Sequence, residues 1–251
     1  MALSIEILEE AGVRSLHFGS HWIQGAMRIA RPHALELEYT RDMMFSLLLR
    51  PGRRWPRQVL QIGLGAASLT RFLCRHRPHA ALTVVEIEPA VVAAARQFFK
   101  LPEDSAQVTI EIGDGADYVA GSTREFDLIL VDGFDAKGRP GMLDMLPFYC
   151  NARARLSQQG LLVANVLTRS RGITASLERI VKAFDGRACA LPPCPGGNTI
   201  VVAAVGDPID VALTDLAAAA RAQKRDTGLN LLPLLARLAA AQAAPGDRFV
   251  L

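Results

Sequence analysis

Residues 59–65 read V-L-Q-I-G-L-G, an apolar run that ends in two closely spaced glycines. A second apolar run, T-V-V-E, closes on Glu86, 23 positions after Gly63. This pattern constrains the fold more than any other in the chain. A buried strand ending in glycines can turn tightly into a helix, and the next parallel strand then delivers a carboxylate beside the turn. A carboxylate so placed can accept both hydroxyls of a ribose, so Gly63, Gly65 and Glu86 together fit an adenosine. The third position of the glycine pattern is Ser68, which departs from the usual dinucleotide fingerprint. The plainer alternative is a structural turn with a surface acid after it.

From residue 58 onward the chain alternates between two kinds of segment. Apolar runs predict strands over 59–63, 81–86, 108–113, 126–132, 161–166, 188–191 and 199–204. Helical spacing of apolar residues predicts helices over 67–77, 90–99, 116–121, 143–156 and 173–184, and one more over 39–49, ended by Pro51-Gly52. The fold class expected is α/β, with a doubly wound, mostly parallel, seven-stranded sheet covered by helices on both faces. Residues 1–38 read differently. Short strand-like pieces at 15–18, 22–23 and 26–29 predict a small β-hairpin region. Residues 206–251 are rich in Ala and Leu up to Ala244 and predict one or two helices packed on the sheet or on a second subunit. The chain is thus expected to divide into 1–38, 39–205 and 206–251.

Charge and cysteine content narrow the function classes. The chain has 28 basic and 25 acidic residues, a net +3, too balanced to argue for nucleic-acid or membrane partners. No apolar run reaches membrane-spanning length. Residues 1–10 hold Glu6, Glu9 and Glu10 and no basic n-region, so a cytoplasmic location is expected. Cys74, Cys150, Cys189 and Cys194 form no C-x-x-C pair and no histidine cluster accompanies them, so no metal is expected and buried free thiols are.

In open α/β sheets ligands bind at the carboxyl ends of the strands. Two more acidic segments fall at such ends. Gly113-Asp114-Gly115 follows the third strand, and an Asp there can accept a hydrogen bond from an exocyclic amine such as that of adenine. It can also cap the following helix, and both can hold together. Asp132-Gly-Phe-Asp135 ends the fourth strand, where one carboxylate can serve as general base and the other as substrate clamp. Loop acids facing water are the alternative.

Taken together, V-L-Q-I-G-L-G, V-V-E-I-E-P, G-D-G-A-D-Y and D-L-I-L-V-D-G-F-D resemble, in order and spacing, the spermidine synthase family of polyamine aminopropyltransferases. That family is built on a class I methyltransferase-like Rossmann sheet, and the resemblance covers roughly residues 13–205. It implies S-adenosylmethionine or its decarboxylated form as co-substrate, with no metal. It also implies transfer of an alkyl group to a small amine or other nucleophile, and a homodimer. Carried over, Glu86 holds the ribose, Asp114 and Gly115 the adenine, Asp132 is the general base and Asp135 helps bind the acceptor.

Three departures from the family pattern share one sign. The family's acid in the glycine turn is replaced by Ala66, or by Ala67 if the alignment slips. Arg41 stands in the helix start Y-T-R-D-M, and the loop after Asp135 runs A-K-G-R-P with Lys137 and Arg139. A cationic donor tail thus loses an anion, while a donor carboxylate gains a fork-shaped partner in Arg41. The sharper expectation is therefore S-adenosylmethionine as donor and methyl as the group, with Arg41 in the binding site. A surface Arg41 paired with Glu38 or Asp42 is the alternative. An NAD-dependent oxidoreductase and a non-catalytic nucleoside-binding module remain as other readings of the chain.

Overall fold

The computed structural model describes residues 4–50, 52, 54–103, 105, 107–167, 173–241 and 245–251. Pro51, expected to end a helix, and residues 242–244 of the Ala/Leu tail lie outside the described residues. The amino-terminal part forms strands β1 (Glu6–Glu10), β2 (Val13–His17) and β3 (Ile23–Arg28), paired antiparallel in that order. Short helices α1 (Glu38–Met43) and α2 (Ser46–Leu49) lead into the main alternation. It runs β4 (Gln58–Ile62), α3 (Ser68–His76), β5 (Ala81–Glu86), α4 (Pro89–Phe98), β6 (Val108–Ile112), α5 (Gly115–Gly121), β7 (Phe126–Val131), α6 (Leu146–Ala154), β8 (Leu156–Leu167), α7 (Thr174–Ala183), β9 (Ala188–Ala190) and β10 (Asn198–Ala204). The tail adds β11 (Asp210–Ala212), α8 (Leu213–Thr227), α9 (Leu232–Ala240) and β12 (Arg248–Val250).

The central sheet has seven strands in the order β6-β5-β4-β7-β8-β10-β9. The first five are parallel, β10 runs antiparallel to β8, and β9 antiparallel to β10. This is the doubly wound, mostly parallel sheet that the alternation predicts. From β4 the chain winds to one edge through β5 and β6, then returns to β7 and winds to the other. The strand order therefore reverses between β4 and β7, and a crevice opens beyond their carboxyl ends.

Alternating side chains give each strand two buried faces. On one face Val59, Leu128, Leu130, Leu161, Val163 and Val202 pack with Phe72 of α3, Leu216 of α8 and Leu238 of α9. On the other, Leu60, Ile129, Val131, Leu162, Ala164 and Val201 pack with Val119 of α5, Phe148 of α6 and Ile180 of α7. A third cluster joins the amino-terminal sheet to the rest: Leu16 and Met27 meet Val84 of β5 and Val91 of α4. The tail helices thus cover one face of this chain's own sheet. β11 and β12 pair with each other, and the Phe249 ring meets Phe45 edge-on at 5.1 Å between centroids.

Several elements differ from the predicted ones, each for a local reason. β1 lay unpredicted because its three glutamates sit on a mostly exposed edge, where charges are tolerated. The predicted helix over 39–49 is two short helices with a turn at Met44 and Phe45. The helix predicted over 143–156 is a 3₁₀ turn, Gly141–Asp144, followed by α6, because Pro147 suits the first turn of a helix and not its interior. β8 then begins at Leu156, earlier than expected. Of the four free cysteines, Cys194 is buried and Cys150 is exposed, against the expectation that all are interior. Among the described residues, no helix is long and apolar enough to cross a membrane.

Because Phe249 is fully buried between the tail and the sheet, Phe249→Ala is expected to cost about 3–5 kcal/mol of stability. Urea unfolding followed by circular dichroism checks this, and a loss well under 1 kcal/mol would mean the tail is peripheral to the core.

Candidate active site

The crevice at the strand-order reversal is a cleft of about 1210 Å³. Gly63 and Gly65 form its floor between β4 and α3, where both adopt positive φ, +87° and +51°. A Cβ on Gly63 would lie 2.1 Å from the carbonyl oxygen of Asp132, so no other residue fits there. The amide of Asp132 in turn donates to the Ile62 carbonyl at 2.9 Å. Ala66 and Ala67 do not line the cleft; they are buried behind the turn, with Ala66 against Gly25 of β3. Arg71, fully buried, fixes this turn by donating to the carbonyls of Ala66, Pro32 and Phe99.

Glu86 ends β5 at the cleft, 7% exposed. Its Oε2 accepts from the Leu64 amide at 2.8 Å and its Oε1 from the Glu88 amide at 3.0 Å. Burial raises its pKa, and the amide bonds from Leu64, Glu88 and Ile87 oppose that rise. Asp114 is the N-cap of α5, with Oδ1 accepting from the amides of Ala116 and Asp117 at 2.7 and 3.3 Å. Asp114 and Gly115 line the cleft beside Glu86.

Asp132 follows β7 at the centre of the cleft wall. Its Oδ2 accepts from the Tyr39 hydroxyl at 3.1 Å, and its Oδ1 from Asn165 Nδ2 at 2.8 Å. Asn198 Nδ2 donates to Asn165 Oδ1 at 3.0 Å, which fixes the Asn165 amide with its donor toward Asp132. Burial raises the Asp132 pKa despite the opposing bonds from Asn165 and Tyr39. A carboxylate with a raised pKa is a better proton acceptor, which suits a general base. Tyr39 is pushed well above its ordinary value, first by burial and then by the charge of Asp132, so it stays a hydroxyl donor.

The loop after Asp132 closes one side of the cleft. Asp135 lines it, but both its oxygens are engaged within the loop. Oδ1 accepts from the amides of Lys137 and Arg139, and Oδ2 from Arg139 Nε at 2.7 Å. Partial burial favours the neutral acid, yet these bonds outweigh it and hold Asp135 below the usual carboxylate range. Trp22 packs over the same loop at Gly138.

Arg41 departs from expectation. It is not among the residues lining the cleft; its Nη2 turns back along α1 to the Glu36 carbonyl at 3.3 Å. Glu38 and Asp42, its alternative partners, both pair with Arg237 of α9, while the Arg41 charge also acts on Asp42. The structure therefore brings Gly63, Gly65, Glu86, Asp114, Gly115, Asp132 and Asp135 to one cleft, and leaves Arg41 outside it. It adds Glu38, Tyr39, Asn165 and Asn198, which the sequence reading missed. Asn165 had a signal: it is a lone amide in the apolar strand L-L-V-A-N-V. Among the described residues, no group of three or more His, Cys, Asp or Glu side chains is arranged to hold a metal.

A family model described as the spermine/spermidine synthase domain matches residues 36–185. A polyamine aminopropyltransferase of Chromobacterium violaceum is 40% identical over 199 residues, covering 79% of this chain and 75% of that protein. One of Neisseria meningitidis serogroup A is 34% identical over 245 residues, covering 98% of this chain and 92% of its own length. Among solved structures, human methyltransferase-like protein 13 in complex with SAH aligns with a TM-score of 0.66 at 24% identity, over 76% of this chain and 93% of its own. At that identity the likeness speaks for the fold, a methyltransferase-type sheet.

Gly63→Ala is expected to push the Asp132 backbone away from the glycine turn. Turnover should fall about a hundredfold, the penalty of misplacing a reacting group by roughly 1 Å. Stability should fall by about 1–3 kcal/mol, given the strained backbone. Steady-state kinetics and thermal unfolding check both, and a fully active variant would show that the contact does not position Asp132.

Proposed function

The chain belongs to the spermine/spermidine synthase family of transferases, and from that premise we propose that it transfers an aminopropyl group from decarboxylated S-adenosylmethionine to a small amine. The relatives named above are transferases, which sets the oxidoreductase and non-catalytic readings aside.

One observation carries the choice of donor. Glu38, Glu86, Glu88, Asp114, Asp132 and Asp135 face the cleft, against Lys137 and Arg139. The decarboxylated donor is positive at its sulfonium and at its terminal ammonium and has no carboxylate, so an acidic wall favours it. S-adenosylmethionine adds a carboxylate that this wall repels. The methyl reading relied on Arg41 to receive that carboxylate, and Arg41 is absent from the wall.

On this reading the ribose hydroxyls donate to Glu86, whose oxygens each keep a lone pair beyond the amide bonds of Leu64 and Glu88. Asp114 receives the adenine amine on the oxygen that does not cap α5. The acceptor amine attacks the propyl carbon bonded to sulfur. The carbon–sulfur pair leaves with sulfur, which becomes a neutral thioether, and the amine's proton passes to Asp132. Tyr39 and Asn165 keep the Asp132 carboxylate aimed while a lone pair remains for that proton. The protein's main work is to align nucleophile, carbon and sulfur.

Calorimetry should find the decarboxylated donor bound at least about tenfold more tightly than S-adenosylmethionine, a difference of about 1.4 kcal/mol. The opposite order would overturn the aminopropyl reading. Asp132→Asn should cut turnover by about 10²–10⁴-fold, the range of general base catalysis. The same variant should melt higher than the parent at neutral pH. The folded-state pKa of Asp132 lies above its unfolded value, so the protein loses stability as pH rises through the carboxylate range and the ionised form is imposed. An amide has no such form. Retained turnover would remove Asp132 as the base.

A further inference from the structure

We propose that Glu38 is the carboxylate that binds a primary ammonium in this cleft, and that Arg237 of the tail helix α9 holds it in place. The proposal rests on the aminopropyl reading above and names the residue that recognises the charged end of a substrate.

Three acids stand on the wall around the reaction centre: Asp132, Asp135 and Glu38. Asp132 takes a side-chain donor on each oxygen, and Asp135 is saturated by its own loop and by Arg139. Glu38 receives Arg237 Nη1 on Oε1 at 2.6 Å, and its Oε2 makes no described hydrogen bond. Its side chain is 32% exposed while facing the cleft. It immediately precedes Tyr39, whose hydroxyl reaches Asp132. An ammonium three carbons from the reacting centre therefore meets one carboxylate with an open oxygen.

Arg237 is shared. Its other terminal nitrogen pairs with Asp42, which is nearly buried, at 5% exposure. One guanidinium between two carboxylates leaves the trio negative and fixes Glu38 on two sides, through the backbone of α1 and through α9. Arg41 donates to the Glu36 carbonyl and its charge acts on Asp42, and neither it nor Arg237 lines the cleft. The cleft thus sees the carboxylate and not the cations behind it. A surface ion pair that merely pinned α9 to α1 would have no reason to present its acid to the cavity.

The test uses the full chain, with decarboxylated S-adenosylmethionine and with 5′-methylthioadenosine, which shares the nucleoside and lacks the ammonium. In Glu38→Gln, either donor affinity or the KM for a diamine acceptor should worsen about ten- to hundredfold, the worth of one charge-assisted hydrogen bond, while methylthioadenosine affinity stays within about twofold. Weakened donor binding with unchanged acceptor KM assigns the ammonium to the donor tail, and the reverse assigns it to the acceptor. Equal weakening of donor and methylthioadenosine with no change in acceptor KM, or no change in donor or acceptor, overturns the proposal. Arg237→Lys should retain most of the ammonium selectivity and Arg237→Met should lose it. If the parent protein binds neither nucleoside, the adenosine reading falls and this proposal with it. A parent that binds both, with no selective loss in the variants, overturns this proposal alone.

Discussion

The close approach of two strand ends governs this molecule. The Gly63 backbone lies against the Asp132 carbonyl where the order of strands reverses, and the Asp132 amide is bonded back to Ile62. Packing that tight joins the glycine-turn side of the cleft to the side that carries Asp132. The glycine turn cannot move without moving the proposed base. The parallel ladder from β5 through β8 makes both strand ends rigid, so the placement comes from the sheet and not from the loops.

Around that junction the protein accepts electrostatic cost. Asp132 is half-buried between Tyr39 and Asn165, Glu86 is nearly buried at the end of β5, and Arg71 is wholly buried behind the turn with its pKa lowered to about 10 by burial. Buried ionisable groups are tolerated where hydrogen bonds offset their desolvation, and each of these makes at least two, although Arg71 Nη2 is left without a partner among the described residues. Arg71 suits its post because a planar guanidinium reaches three carbonyls at once, which an ammonium on the same helix could not match in geometry. The turn between β4 and α3 is thereby held from behind by α3's own side chain.

Much of this was legible in the sequence. Strand positions, the sheet type and the cleft acids Glu86, Asp114, Asp132 and Asp135 follow from apolar runs that end in glycine or acid, because a buried parallel strand leaves few other signals to confuse them. Orientation was harder to read. Arg41 and Glu38 lie on one helix three residues apart, and only the placement of α9 decides which faces the cleft. Ala66 carried weight as a missing anion, yet it sits behind the turn where an acid would meet Gly25 and not a ligand. The polar chain Tyr39–Asp132–Asn165–Asn198 joins four distant segments, and no local spacing announces such a network.

The ion pair between Glu38 and Arg237 spans 199 positions, and the Phe45 ring meets that of Phe249. The wall that carries Tyr39 is therefore supported by chain far away in sequence. Parallel pairing of β4 through β8 closes much shorter loops than the docking of α9 on α1. The cleft wall is thus the part of the molecule with the most non-local contacts, and its completion is the step that chain topology makes slowest.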